Sequence, residues 1–171
     1  PMVGGAVFLA YNLPGLSAAL KMTPAIVTGI YMGKIKMWND KAIAAVNPGV
    51  ALPGSPILPV HRSDGSGTTY IFVSYLAEVS SEWKEMVGVN TSVSWPVGIG
   101  GKGNEGVSGL VRQTPGAIGY VELAYAKQNN FSVAHLKNAA GKFIEPSLAS
   151  TTAAARGAAA ALAKDVRTPI V

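Results

Sequence analysis

The 171-residue chain carries a formal net charge of +5, contains no cysteine, and is 49% hydrophobic with only 13% charged residues. This length suits one domain with a substantial core, and the lack of cysteine excludes a disulfide framework and cysteine-ligated metals. The lysines and arginines are scattered along the chain, which argues against nucleic acid as a partner. The longest apolar runs are too short to cross a bilayer.

Hydrophobic periodicity and capping signals predict alternating strands and helices. In chain order they are a strand at 6–11, a helix at 24–31, a short helix ending before residue 47, a strand at 57–60, helices at 67–79 and 81–86, a weak strand at 93–95, a helix at 104–113, a strand at 117–121, a helix at 122–129 and an alanine-rich surface helix at 147–164 softened at Gly157. This alternation favours a mixed sheet flanked by helices.

Several polar residues mark the predicted helix starts. Thr23 before Pro24 is the pattern of an N-cap followed by a first-turn proline. Asn39 is expected to cap the second helix, and Ser80 or Ser81 the helix that ends near residue 86. In the helix at 67–79 five apolar residues are expected to contact the core, namely Tyr70, Phe72, Val73, Leu76 and Val79.

The segment 61–70, HRSDGSGTTY, is the most informative part of the chain. The strand at 57–60 delivers the chain to Arg62 at its carboxyl end, where open α/β sheets place ligands. Gly65 and Gly67 let the backbone approach a ligand at the start of a helix, whose free N–H groups favour an anion. The segment therefore has the chemistry of an oxyanion site.

Side chains add donors to this predicted site. Ser66 and Thr68 supply hydroxyl groups, and Arg62 supplies a planar fork suited to a tetrahedral oxyanion. Asp64 could hold the guanidinium in one orientation and cancel part of its charge. The local residues leave a second interpretation open, which is an ordinary Ser/Gly turn whose Asp or Ser caps a helix.

A second glycine-rich stretch, Gly98–Gly103, offers a competing interpretation. It matches G-x-G-x-x-G, precedes a predicted helix and has Glu122 about twenty residues on, as in a dinucleotide-binding fingerprint. The other interpretation is a flexible glycine-rich loop. A P-loop is excluded because Lys102 is followed by glycine rather than Ser or Thr.

No catalytic set is predicted. The chain has no G-x-S-x-G element, and its two histidines, His61 and His135, are too far apart in sequence to form a metal motif. His61 is interpreted as a strand-end residue rather than a base. We therefore expect no enzymatic activity, no cofactor and no metal.

Eight motifs extend the argument beyond this loop. They are GIYMGKIKMWN at 29–39, RSDGSGTT at 62–69, SYLA at 74–77, EWK at 82–84, SWPVG at 94–98, GGKGN at 100–104, PGAIGYVE at 115–122 and AYAKQNN at 124–130. In this order they resemble the family of periplasmic phosphate-binding proteins that serve the bacterial high-affinity ABC phosphate transporter. The resemblance runs from about residue 4 to about residue 140.

The resemblance implies an α/β fold of the type II periplasmic-binding-protein class, in which two lobes close over one phosphate. Residues 1–171 resemble only the second, middle lobe, so the chain is expected to be a fragment without its first lobe. Arg62, Ser66, Gly67 and Thr68 match phosphate ligands of that lobe, and Asp64 matches the acidic partner of the arginine. The family's acidic acceptor for the phosphate proton belongs to the first lobe and has no counterpart here.

The resemblance also implies partners and a compartment. The expected partners are inorganic phosphate, the missing first lobe and the membrane subunits of an ABC transporter, and the expected location is the periplasm. No signal peptide precedes Pro1, so the chain is expected to be mature material or an excised fragment, and the end at Thr168–Val171 looks like a cut. Exposure of a face that the first lobe covers predicts weak self-association.

Overall fold

The structure, a computed structural model, describes residues 6–157. In that range the strands are β1 (Val7–Tyr11), β2 (Lys21–Met22), β3 (Leu58–Arg62), β4 (Ile99–Gly101), β5 (Ala117–Glu122), β6 (Ser132–Val133), β7 (His135–Lys137) and β8 (Phe143–Ile144). The helices there are α1 (Pro24–Tyr31), α2 (Lys41–Val46), α3 (Gly67–Val79), α4 (Ser81–Met86), α5 (Gly103–Gln113), α6 (Leu123–Gln128) and α7 (Leu148–Gly157). None of these helices is long and apolar enough to cross a membrane.

The main sheet has five strands in the order β4-β3-β5-β1-β6. β3 runs parallel to β4 and β5, whereas β1 runs antiparallel to β5 and β6, so the predicted mixed sheet is confirmed. A smaller sheet has the order β2-β7-β8. The carboxyl ends of the parallel strands β3 and β4 lie side by side, with Arg62 opposite Gly101.

The core lies on both faces of the main sheet, as the alternation along β5 shows. Ile118 and Tyr120 belong to a large cluster that includes the buried rings of α1 and α3, whereas Ala117 and Val121 belong to a smaller cluster under α5. Successive side chains of a strand point to opposite faces, so one apolar strand supplies both clusters. Helices therefore cover both sides of the sheet, as expected from the sequence.

The capping predictions are confirmed except at α2. The Thr23 hydroxyl accepts the N–H of Ile26 at 3.3 Å, and the Ser80 hydroxyl accepts the N–H of Trp83 at 3.1 Å. The prediction of Asn39 as the cap of α2 is wrong, because the carboxylate of the next residue, Asp40, accepts the N–H of Ala42 at 2.8 Å. Both residue types cap helices well, so composition could not choose between neighbours.

The predicted strand at 93–95 is wrong, and the strand in this region is β4 at Ile99–Gly101. Val93 and Trp95 pack against the large core cluster from a loop, so their apolar character reflects burial rather than strand pairing. Pro96 follows and has no N–H to donate to a ladder. Strands β2, β6, β7 and β8 were not predicted, because segments of two or three residues carry no measurable period.

The apolar face of α3 is narrower than predicted. Phe72, Val73 and Leu76 are buried, but Tyr70 and Val79 are exposed by 40% and 39%. Tyr70 lies two residues from Phe72, which turns it to the opposite side of the helix, and Val79 is the last residue of the helix. In α7 no residue is buried, as expected of a surface helix; the predicted continuation from 158 to 164 lies outside the described residues.

Candidate functional site

Arg62 is held by Asp64 at the carboxyl end of β3. Its Nε donates to Asp64 Oδ1 at 2.8 Å and its Nη2 to Asp64 Oδ2 at 2.6 Å, and the arginine side chain is only 10% exposed. These bonds, together with the N–H of Gly103 donating to Oδ1 at 3.1 Å, hold the pKa of the Asp64 carboxyl well below its usual range. The pKa of Arg62 is raised, chiefly by its hydrogen bonds to Asp64.

The bidentate pair fixes the plane and direction of the guanidinium. Arg62 Nη1 makes no hydrogen bond to any of the described residues, so its N–H groups remain available to a ligand. Because the carboxylate balances the positive charge, recognition here depends on the geometry of the donors more than on net charge. The predicted pairing of Arg62 with Asp64 is present in the structure.

The N-terminus of α3 lies beside this pair. Ser66 is the N-cap, and its hydroxyl oxygen accepts the N–H of Thr69 at 2.9 Å. In the part of the chain that the structure describes, the N–H groups of Gly67 and Thr68 donate to no protein acceptor. The first free N–H groups of a helix carry the positive end of its dipole, so these two amides form a site for an anion.

A buried tyrosine links the strand end to the helix N-terminus. The Tyr120 hydroxyl accepts the backbone N–H of Arg62 at 2.9 Å and lies 2.7 Å from the hydroxyl of Thr69. Burial raises the pKa of Tyr120 to about 12, so its hydroxyl keeps its proton at neutral pH. Through this one hydroxyl, β3, β5 and α3 are held in a fixed relation, which sets the spacing between Arg62 and the helix amides.

A group of stacked aromatic rings packs next to these polar groups. His61 stacks on Trp95 with ring centroids 4.8 Å apart and planes 9° apart, and Trp95 stacks on Tyr120 at 5.6 Å. Phe72 also stacks on Tyr120, at 4.5 Å. Burial lowers the pKa of His61, which favours the uncharged ring in this stack. The histidine thus lies in β3 as a packed strand-end residue.

Thr68 has a partner that the sequence did not predict. Its hydroxyl donates to Glu122 Oε1 at 3.0 Å, and Thr68 is only 5% exposed. Glu122 is the last residue of β5 and lies 54 positions further along the chain. A second carboxylate, besides Asp64, therefore contacts the N-terminus of α3.

The glycine-rich stretch 98–103 is not a flexible loop, and that interpretation is wrong. Its central residues form β4, which pairs with β3, and α5 begins at Gly103. A dinucleotide fingerprint needs these glycines in a loop between strand and helix, whereas here the central one, Gly100, lies within β4 and Gly103 is the first residue of α5. The N–H of Gly103 instead donates to Asp64, so this stretch supports the Arg62 pair.

Gly101 is where β4 and α5 approach most closely. A Cβ atom at this position would lie 2.6 Å from the backbone carbon of Gly106. We expect Gly101→Ala to lower the free energy of unfolding by about 1–3 kcal/mol, because the clash is with backbone that cannot rotate away. Thermal unfolding checks this, with Gly109→Ala as the control, since no atom lies within 4 Å of a Cβ there. Equal stability of Gly101→Ala and the wild type would contradict the packing described here.

Within residues 6–157 no group of three or more His, Cys, Asp or Glu residues could hold a metal ion. The arrangement instead offers backbone amides and a charge-balanced guanidinium as hydrogen-bond donors. A sequence profile described as a PBP superfamily domain matches residues 1–168. The chain therefore belongs to the family of PBP superfamily domains.

Curated relatives of this PBP superfamily domain include several phosphate-binding proteins. "Phosphate-binding protein PstS" of Xylella fastidiosa (strain Temecula1) is 52% identical over 166 residues, which are 96% of this chain and 46% of the relative. The protein of the same name from Pasteurella multocida (strain Pm70) is 52% identical over 159 residues, covering 92% of this chain and 46% of the relative. The chain thus spans about half the length of the curated relatives it matches.

Solved structures agree on the fold of this PBP superfamily domain. A high affinity periplasmic phosphate-binding protein bound with phosphate superposes with a TM-score of 0.70 at 28% identity, covering 90% of this chain and 44% of that one. An ABC-type phosphate transport receptor from Vibrio cholerae gives a TM-score of 0.56 at 18% identity, covering 81% and 48%. The expected α/β class of the periplasmic-binding-protein type is therefore confirmed.

Proposed function

We propose that this chain binds inorganic phosphate as one half of a two-lobed solute-binding protein. The observation that carries the proposal is the convergence of an oriented arginine and two free helix amides at the carboxyl end of β3. Arg62 is fixed by Asp64 at 2.8 and 2.6 Å, and the N–H groups of Gly67 and Thr68 have no protein acceptor among the described residues. Donors of this kind suit a tetrahedral oxyanion.

The phosphate ligands in this proposal are Arg62, Ser66, Gly67 and Thr68, with Asp64 as the supporting residue. Gly67 and Thr68 contribute backbone amides. Ser66 contributes mainly by capping the helix that presents those amides, because its hydroxyl oxygen is engaged by the N–H of Thr69. The names of the relatives support phosphate as the anion, and so does the phosphate bound in a structural neighbour at 28% identity.

The role of the whole protein is part of the same proposal. The relatives are about twice as long as the segment they share with this chain, which supports a second lobe that completes the phosphate site. In that protein, closure of two lobes surrounds phosphate with fixed donors, and the membrane subunits of an ABC transporter trigger its release in the periplasm. It binds and delivers, and performs no catalysis. The isolated lobe is proposed to self-associate weakly through the face that its partner lobe covers.

Isothermal titration with phosphate tests the binding site. We expect the 171-residue chain to bind phosphate weakly, and Arg62→Ala to lower the affinity by at least about tenfold, since a charged hydrogen bond is worth about 1.5–3 kcal/mol. Arg112→Ala is the matched control, because this exposed arginine lies at the end of α5 and, among residues 6–157, its side chain hydrogen-bonds to Asn129 alone. Equal loss in both variants would contradict a specific site at Arg62.

A further inference from the structure

An apolar cavity of about 480 Å³ lies between β1, α3, the small sheet and α7. One part of its wall consists of core residues, among them Leu9, Phe72 and Ala134, which are 2%, 4% and 1% exposed. Another part is formed by α7, with residues between 150 and 155. Pockets that hold small molecules have volumes of about 300–1,000 Å³. The cavity is therefore large enough to be a ligand site.

The side chains of α7 are too small to fill the space between this helix and the core. The helix lines the cavity only with serine, threonine and alanine, and none of its residues is buried. Its one large apolar residue, Leu148, does not line the cavity and is 62% exposed. Protein interiors pack about as densely as organic crystals, so an apolar cavity beside the core leaves many favourable contacts unmade. A ligand that fits the cavity would make those contacts.

The hydroxyl groups that α7 brings to the cavity are already engaged. Those of Ser150, Thr151 and Thr152 each donate to a backbone carbonyl one turn earlier in the chain, at 3.0, 2.8 and 2.8 Å. Each hydroxyl has a single proton, so none of the three has one to offer to a ligand. Among the described residues, none that lines the cavity is charged, and an ion would lose its hydration there without compensation. The lining therefore favours an uncharged, apolar molecule.

One polar group in the lining has no such partner. Tyr75 lines the cavity, and its hydroxyl is buried without a hydrogen bond to any of residues 6–157. Burial raises the pKa of Tyr75 to about 12, so the hydroxyl keeps its proton at neutral pH. Buried polar groups normally have a partner, because leaving one unpaired is unfavourable. A ligand with a hydrogen-bond acceptor would supply that partner.

We propose that this cavity is a second ligand site, which takes an uncharged, mainly apolar small molecule with one hydrogen-bond acceptor for Tyr75. Burial of apolar surface supplies most of the affinity, and the acceptor pairs with the tyrosine hydroxyl. The site goes beyond the proposed function, because none of the proposed phosphate ligands lines the cavity.

Fluorescence titration with prodan tests the site, since this uncharged naphthyl ketone emits at shorter wavelength in apolar surroundings. We expect saturable binding to the 171-residue chain. Ala155→Phe places a ring in the cavity from a surface helix and should lower the prodan affinity at least about tenfold. Ala153→Phe is the matched control, because Ala153 lies on the same helix, is exposed and does not line the cavity. It should bind prodan as the wild type does.

Tyr75→Phe isolates the hydrogen bond to the ligand. It removes a hydroxyl that none of the described residues uses, so thermal unfolding should show that the fold is kept. The prodan affinity should fall about two- to tenfold, as expected for the loss of one hydrogen bond. An unchanged affinity would contradict the role of Tyr75.

Equal prodan affinity in Ala155→Phe and the wild type, or no saturable binding to the wild type, would overturn the proposal. Binding that disappears as the chain self-associates in sedimentation would overturn it as well, because a second copy would then occupy the cavity. Arg62→Ala should bind prodan as tightly as the wild type, since Arg62 does not line the cavity. The two sites can therefore fail independently of each other.

Discussion

Arg62→Lys is expected to weaken phosphate binding almost as much as Arg62→Ala. Lysine keeps the positive charge but loses the planar fork, so it cannot reproduce the two parallel N–H···O bonds to Asp64 that fix the direction of the remaining N–H groups. The two hydrogen bonds to Asp64 hold the guanidinium of Arg62 in one orientation. We expect each variant to lose at least about tenfold in affinity, which corresponds to about 1.4 kcal/mol.

Titration calorimetry on both variants measures this loss, and thermal unfolding shows whether the fold is kept. Arg112→Lys serves as the control for a conservative change at an exposed arginine on α5. If Arg62→Lys bound phosphate as tightly as the wild type, the charge alone would be sufficient and the bidentate geometry with Asp64 would have no role in recognition.

The second large effect is expected when the proposed second lobe is supplied. In the two-lobed proposal this chain supplies donors on one side of the anion, and a hydrogen bond that stays open to water contributes only about 0.5–1.5 kcal/mol net. A chimera in which this chain replaces the aligned half of the Xylella fastidiosa relative should bind phosphate at least about 100-fold more tightly than the chain alone, because several further contacts form and water is excluded.

The same chimera carrying Arg62→Ala is the internal control, and it should lose most of the gain. The two proteins are compared by titration under identical salt, because screening changes the affinity of charged ligands. Submicromolar binding by the 171-residue chain alone, with no further gain in the chimera, would show that this chain completes its own site and that the half-site proposal is wrong.

The sequence was sufficient to predict those contacts of the site that join residues close together along the chain. Arg62 and Asp64 are two residues apart, and the Ser66 cap engages Thr69 three residues on, so a short motif predicts both contacts. The order of the main elements followed from periodicity and caps for the same reason. Such interactions depend on chain geometry within one turn or one strand end.

The contacts between residues far apart in the sequence could not be predicted from short motifs. Tyr120 contacts Arg62 and Thr69 across 58 and 51 positions, and Glu122 contacts Thr68 across 54. Nothing in the sequence around Tyr120 distinguishes a hydroxyl that bridges two elements from an ordinary core tyrosine. The only signal was indirect, because a strand at 117–121 parallel to one at 57–60 brings its carboxyl end near the loop that begins at Arg62.

Strand β4 was misplaced for a related reason. Glycine weakens a strand on intrinsic preference, so Ile99–Gly101 was interpreted as a loop. In the structure the backbone of α5 packs within contact distance of Gly101, and a side chain there would clash. Tertiary packing therefore selects glycine at a strand position where composition alone predicts a break.

The central claim is that the free amides at the start of α3 bind phosphate. An NMR titration of the isotope-labelled chain with phosphate follows those amides individually. The account predicts that the N–H resonances of Gly67 and Thr68 shift most, in a saturable manner that Arg62→Ala weakens, while that of Gly109 in α5 stays unchanged. Saturable phosphate shifts centred on Gly98–Gly103, with Gly67 and Thr68 unaffected, would contradict it.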